Sequence, residues 1–398
     1  MTTSMDPRCP DATAGARPRL VTRALLLRFV SMVGASASFF LLLPVVPRYA
    51  EASGGGGGAP GVATGTLMLA TVLGELATPR LVGRFGYRVV LGGGLFLLGA
   101  PALVLPLSGA MAGIVAVCFL RGLGFAAAVV AGGALTASLI PAARRGEGLA
   151  LVGVVSAVPS LCGLPLGVWL VAQVGYGPVA VAAGVVALVS IAAVPGLPDR
   201  EVTAGPSVGV VAGLRDGALR RPAAVFGTTA LAAGIIVTFL PLAVASGSAG
   251  VVAVALFVQP LASVVARWVA GRYGDRRGPS RLVLPGLLLS AAGTLGLVLT
   301  DSPVAVVAGV AVFGTGFGIV QNATLTLMYA RVPASGYGTV SALWNVAYDA
   351  GMGVGAAGFG VVAGWTGYPA AFAVTAVLMV GALVPARRDR TAGPRVGG

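Results

Sequence analysis

The stretches RGLGFAAAVVAGGALTASLIP, from Arg121 to Pro141, and FGTGFGIVQNATLTLMYARVP, from Phe313 to Pro333, align without a gap at an offset of 192 residues. Gly122, Gly124, Phe125 and Pro141 meet Gly314, Gly316, Phe317 and Pro333. The same offset lays Arg80, Arg84 and Gly86 on Arg272, Arg276 and Gly278, and Gly175-Tyr176 on Gly367-Tyr368. Apolar bias alone does not align Arg, Phe and Tyr at one register in three separate segments, so the chain reads as a tandem duplication.

What is duplicated follows from composition. The 398 residues are 57% apolar and 10% charged, with 62 glycines, whereas a soluble domain carries about a quarter charged residues. The solvent is lipid. Apolar runs lie near residues 24–46, 60–80, 89–108, 111–134, 149–172, 177–196, 223–245, 249–271, 282–300, 303–328, 339–364 and 368–386. A helix crosses the hydrocarbon layer in about 20 residues, and open strands cannot satisfy their backbone groups there. The expected fold is all-α: twelve transmembrane helices in two pseudo-symmetric six-helix bundles related by an axis along the membrane normal. Residues 24–196 and 223–386 form the bundles, 1–23 and 387–398 the tails, and 197–222 a linker. In the linker, GVVAGLRDGALRRP is expected to lie as an interfacial helix with Arg220 and Arg221 at the headgroups.

Connections after even-numbered spans carry the arginines, from Arg80, Arg84 and Arg88 through Arg144 and Arg145 to Arg331, while those after odd-numbered spans carry only Arg48. The tails add Arg17, Arg19, Arg23, Arg387, Arg388 and Arg390. By the positive-inside rule both termini and every even connection are cytoplasmic. The first span precedes a small-residue site at Ala50-Glu51-Ala52 but is too long for a signal peptide, and the run Gly54 to Gly58 reads as a flexible outer connector.

The net charge of +14 is dispersed between apolar runs, without the basic stripe and interleaved aromatics of a nucleic-acid binder. All basic residues are Arg, which excludes a phosphate loop ending in Lys and a Schiff-base Lys. The absence of His removes the commonest proton shuttle and metal ligand. Cys9, Cys118 and Cys162 lack paired spacing, so neither a disulfide framework nor a zinc site is indicated. No Ser/His/Asp, metal or dicarboxylate constellation is evident within the spans, and an enzyme is not expected. No cofactor is implied.

Ionisable groups inside the spans are the functional candidates, because a buried charge costs several kcal/mol unless it meets a partner or a wet cavity. Among the acids only Glu75 and Asp349 qualify. Asp349 and Arg121 lie about ten residues into their spans and could be partners. Glu75 and Arg267 occupy equivalent positions in the two halves, about one turn above the cytoplasmic surface, where they could snorkel. Asp349 is either a proton-coupling site or one half of a permanent structural pair. It belongs to a polar stripe with Ser341, Asn345, Tyr348 and Met352, near Trp344. A second stripe, Thr315, Asn322, Thr326 and Tyr329 with Gln321 to one side, lies in the tenth span. Such stripes suit cavity walls or bond neighbouring helices. The repeat places Phe313, the counterpart of Arg121, nearly opposite the Thr315 stripe, so both cannot face one cavity under strict symmetry. In the fifth span Gly153, Ser156, Ser160, Gly163 and Gly167 make a small-residue face for close helix approach.

These residues resemble the major facilitator superfamily, over nearly the whole chain outside the tails. AGRYGDRRGPSR after the eighth span resembles its cytoplasmic loop signature, with Gly271, Asp275, Arg276 and Gly278 in place. The counterpart PRLVGRFGYR keeps Arg84, Gly86 and Arg88 but has Pro79 and Gly83 where Gly and Asp are expected. Arg121-Gly122-Leu123-Gly124 resembles the fourth-span motif, and GLPLG at Gly163 to Gly167 loosely resembles the fifth-span signature of proton-coupled exporters, with Leu164 interrupting its Gly-Pro pair. The resemblance implies bundles rocking about a central cavity, a latch at Asp275 and Arg276, and the fifth span sliding on the eighth. The alternative for these arginines is that they only set topology. The resulting expectation is a monomeric carrier in a bacterial-type cytoplasmic membrane, moving a small neutral or amphipathic organic molecule outward in exchange for protons. An uptake symporter or facilitator of the same fold, and a membrane receptor or scaffold without transport, are the rival readings.

Overall fold

A computed structural model describes residues 21–107, 109–141, 144–199, 210–244, 249–333 and 336–391. Arg17, Arg19 and linker residues 200–209 lie outside them. In chain order the helices are α1 (Arg23–Leu42), α2 (Val45–Ala50), α3 (Ala59–Val104), α4 (Met111–Leu139), α5 (Arg145–Val174), α6 (Tyr176–Val189), α7 (Val210–Arg215), α8 (Gly217–Ala243), α9 (Ala249–Arg277), α10 (Ser280–Gly296), α11 (Pro303–Tyr329), α12 (Tyr337–Thr366), α13 (Tyr368–Gly381) and α14 (Leu383–Thr391). No strand occurs among the described residues. Among the described residues ten helices are long and apolar enough to cross a membrane. The α3 rod counts twice because its backbone leaves the helix at Gly86, with φ 79°. The 17-residue α10 supplies the twelfth crossing.

The duplication is legible in the backbone. Gly86 and Gly278, at φ 79° and 83°, make the same turn in the two halves, as do Gly175 and Gly367 at φ 80° and 79°. These are left-handed conformations that a Cβ would disfavour. Helix approach repeats too. A Cβ on Gly122 would come 2.3 Å from the Leu67 carbonyl oxygen, and one on Gly314 the same distance from that of Gln259. Likewise Gly124 closes on Gly94 and Leu98, and Gly316 on Gly286 and Ser290. Each contact in one half maps onto its counterpart at the offset read from sequence.

The linker differs from expectation. Its helix α7 ends at Arg215, Asp216 caps the next helix by accepting from the Ala218 amide at 2.8 Å, and Arg220 and Arg221 therefore belong to the first turns of α8. The small-residue face of α5 receives α1 rather than the eighth span: Gly163 and Gly167 close on Phe40 and Leu41. The eighth span, α9, packs on α5 as well, but the two closest glycine approaches are taken by α1.

The halves meet most tightly away from the arginine-rich end. Gly61 of α3 lies against the Ala356 carbonyl of α12, Gly353 against Met68, and Gly360 against the Gly57-Gly58 backbone. Thr64 and Thr238 share a hydrogen bond of 3.0 Å between α3 and α8, both buried. Small residues permit this approach, which in lipid rests on packing and hydrogen bonds rather than on a hydrophobic driving force.

Candidate functional site

One level below this seal, Glu75 of α3 and Asp349 of α12 come together carboxyl to carboxyl across the two halves. Asp349 is 7% exposed, and Glu75 Oε2 is buried without a hydrogen-bond partner. Of the two readings of Glu75, its buried Oε2 argues against snorkelling to the surface. Helix α3 runs past Pro79 and Arg80 to Gly86, eleven residues beyond Glu75, which sets the carboxyl about 16 Å up the helix from the turn. Asp349 lies twelve residues into α12, about 18 Å up. The two acids share a depth because the helices are longer than their apolar runs. A dicarboxylate therefore exists within the membrane, contrary to the sequence reading.

Arg121 is not the partner of Asp349. It is 2% exposed and donates from Nη1 to the Leu98 carbonyl at 2.7 Å and from Nη2 to the Ser38 carbonyl at 2.9 Å. It thus ties α4 to α3 and α1 within the first half. Arg28 escaped the sequence reading because it sits one turn past Arg23 at the start of an apolar run. It is 3% exposed and donates from Nε to the Gly132 carbonyl (2.9 Å) and Thr136 Oγ1 (3.1 Å), and from Nη1 to Ser31 Oγ (2.9 Å). A polar position within one turn of a span's end, opposite a glycine three to four residues from a threonine, was its only signal.

Beside Asp349 on α12, Trp344 and Tyr348 join an aromatic cluster. Phe226 of α8 stacks on Trp344 at 4.3 Å and packs with Tyr348 at 5.8 Å, and Phe317 of α11 closes the group. The Trp344 indole N–H is buried without a partner. Asn345 is half-buried on the same helix. Gln321 accepts from Arg267 at 3.4 Å between α11 and α9, and Tyr329 shares a 2.7 Å hydrogen bond with Ser341 between α11 and α12.

The Thr315 stripe does not line this region as one face. Thr315 opens into an apolar groove between α9 and α10, Thr326 is exposed, and Asn322 lies against Gly271. The opposite face of α11, with Phe313 and Phe317, turns toward α8 and α12. The conflict over Phe313 and the threonine stripe is thereby resolved: the aromatic face looks inward. In the loop signature, Gly278 makes the turn, Gly86 makes its counterpart, and Arg84 is exposed. Asp275 and Arg276 are exposed and form no ion pair among the described residues. Instead the first-half turn is held by Asp199, whose carboxylate accepts from the Arg88 amide at 3.3 Å, with Arg88 Nε donating to the Leu197 carbonyl at 2.5 Å.

A family model described as Major Facilitator Superfamily matches residues 28–356 and again 223–396. Among solved structures, a nucleoside transporter, NupG, superposes with a TM-score of 0.73 at 14% identity, over 94% of this chain and 100% of that one. The human organic anion transporter MFSD10 (TETRAN) superposes with a TM-score of 0.65 at 18% identity, over 92% and 99%. At such identities the superpositions speak for the fold.

Proposed function

This chain belongs to the major facilitator superfamily, and we propose on that premise that it exports a small neutral or amphipathic organic molecule in exchange for protons. Membership makes it a multi-pass membrane carrier that works by alternating access, not an enzyme. The proton reading is supported by one observation, the Glu75–Asp349 contact between the halves. Two carboxylates in contact repel when both are ionised, and that repulsion favours a single proton shared between them in the closed pair.

The position of the pair gives coupling a direction. The seal above it involves Thr64, Thr238 and the glycines of α3 and α12, and the arginine asymmetry supports placing the end opposite this seal in the cytoplasm. Loss of the shared proton to the cytoplasm leaves two negative charges that push α3 and α12 apart, which favours opening outward. A proton arriving from outside lets the pair close again. Each cycle then moves a proton inward while substrate leaves outward. The cavity candidates Trp344, Asn345 and Tyr348 share α12 with Asp349, and Gln321 lies on α11 bonded to Arg267; we take the bundles 24–196 and 223–386, joined by 197–222, as the rocking bodies. We take the carrier as a monomer in the cytoplasmic membrane, with both termini inside.

The test is flux in proteoliposomes under an imposed pH gradient, across a panel of neutral and amphipathic compounds. Asp349→Asn and Glu75→Gln are expected to abolish gradient-driven accumulation while keeping counterflow exchange. Undiminished gradient-driven accumulation in both variants would remove the pair from the mechanism.

A further inference from the structure

At the periphery of the second half, α11 packs against both α9 and α10, while α9 and α10 touch little beyond their connecting turn. Gly314 and Gly318 bring α11 onto α9, and Ile319 lies against Gly286 of α10. The gap between α9 and α10 is thus a groove floored by α11, of about 480 Å³, lined by Val258, Val265, Tyr273, Leu282, Thr315 and Ile319 among others. Its α9 wall faces out: Val265 and Val269 are 54% and 52% exposed. From Val258 to Tyr273 the helix rises about 22 Å, more than the roughly 15 Å of hydrocarbon in one leaflet.

The end of the groove is basic. Between Ala270 and Arg281 stand four arginines and one acid, Asp275. Arg277 lies over the ring of the groove residue Tyr273, 5.2 Å from its centroid, with Nη1 3.4 Å from the hydroxyl. Arg272 lies over Trp268 at 4.5 Å. Arg281 precedes the groove residue Leu282 and is exposed. None of these arginines forms an ion pair among the described residues. Stacking holds a guanidinium by its flat face and, beyond the one N–H of Arg277 directed at the Tyr273 hydroxyl, leaves edge N–H groups for an anion.

We propose that this groove binds one anionic phospholipid, an acyl chain lying along α9 and the phosphate held at the rim by Arg277 and Arg281. Charge selects the occupant. A zwitterionic lipid would bring its own cation to a rim where four arginines outweigh the single acid Asp275, whereas an anionic headgroup meets a net positive charge.

The experiment is native mass spectrometry of the full-length protein with phosphatidylglycerol and phosphatidylcholine of equal chain length. Phosphatidylglycerol is expected to be retained preferentially. Each arginine near the surface strengthens an anionic lipid about fivefold, so Arg277→Gln combined with Arg281→Gln is expected to lower that preference about 25-fold. Val269→Trp, at an exposed rim position that needs no space in the core, is expected to lower retention of both lipids. Equal retention of the two lipids by the parent protein, or an unchanged preference in the double variant, overturns the headgroup site. Full retention of phosphatidylglycerol by Val269→Trp overturns the groove.

Discussion

Thr64 and Thr238 hold each other across the two halves through hydroxyls 3.0 Å apart, with no more than 2% of either residue exposed. Removing one partner leaves the other buried and unpaired, at about 1–3 kcal/mol, whereas replacing both by apolar groups of like shape is close to neutral. Thr64→Val alone should therefore open the outer seal more than Thr64→Val with Thr238→Val. Spin-label distances between the outer ends of α3 and α12 read this directly. A double variant more open than either single variant would mean that the hydroxyl pair is not what holds the seal.

Stability should follow the glycine contacts. Gly122→Ala places a Cβ 2.3 Å from a backbone carbonyl oxygen, and Gly314→Ala does so at the equivalent position. Neither neighbour is a flexible chain end, so each substitution is expected to cost about 1–3 kcal/mol and lower Tm in detergent. Gly133→Ala meets nothing within 4 Å and gains about 1 kcal/mol of helix preference. If Gly133→Ala lowers Tm as much as the other two, close approach is not what these glycines provide.

Much of this architecture is legible in the sequence. Glycine, arginine and tyrosine at one offset carried the duplication because backbone approach and positive φ demand the same residue in each copy, as Gly86 and Gly278 show. Partners inside the membrane were harder. Apolar run length placed Glu75 near the surface, since Arg80 and Arg84 look like an end, yet the helix continues to Gly86. Depth, and with it the meeting of Glu75 and Asp349, depends on where the helix stops rather than where hydropathy falls. Which face of α11 looks inward is likewise set by α9 and α10 packing on Gly314 and Gly316, and polarity at Thr315 pointed the other way.

Arg121 offers a separation of roles. Its guanidinium serves the Ser38 and Leu98 carbonyls and lies apart from the acid pair. Arg121→Lys keeps the charge but loses the planar fork that reaches two acceptors at once. The expected outcome is a lower Tm with the pH dependence of flux unchanged in position. An unchanged Tm with a displaced pH profile would return Arg121 to the proton path.

The acid pair itself makes a prediction about conformation that needs no substrate. On the proposed mechanism the closed arrangement of Glu75 and Asp349 shares a proton that the separated carboxylates do not require, so protons would be released on outward opening. By linkage, raising the pH favours the state that binds fewer protons. The outward-open fraction of the parent protein should rise with pH, and the slope should vanish in Glu75→Gln and in Asp349→Asn, where one neutral amide removes the repulsion at every pH. Both variants should stay closed at high pH. Spin labels at Val62 and Val361, exposed near the outer ends of α3 and α12, report the distance. A parent protein whose label distance ignores pH, or variants that keep its slope, would show that the two halves are not held by a shared proton.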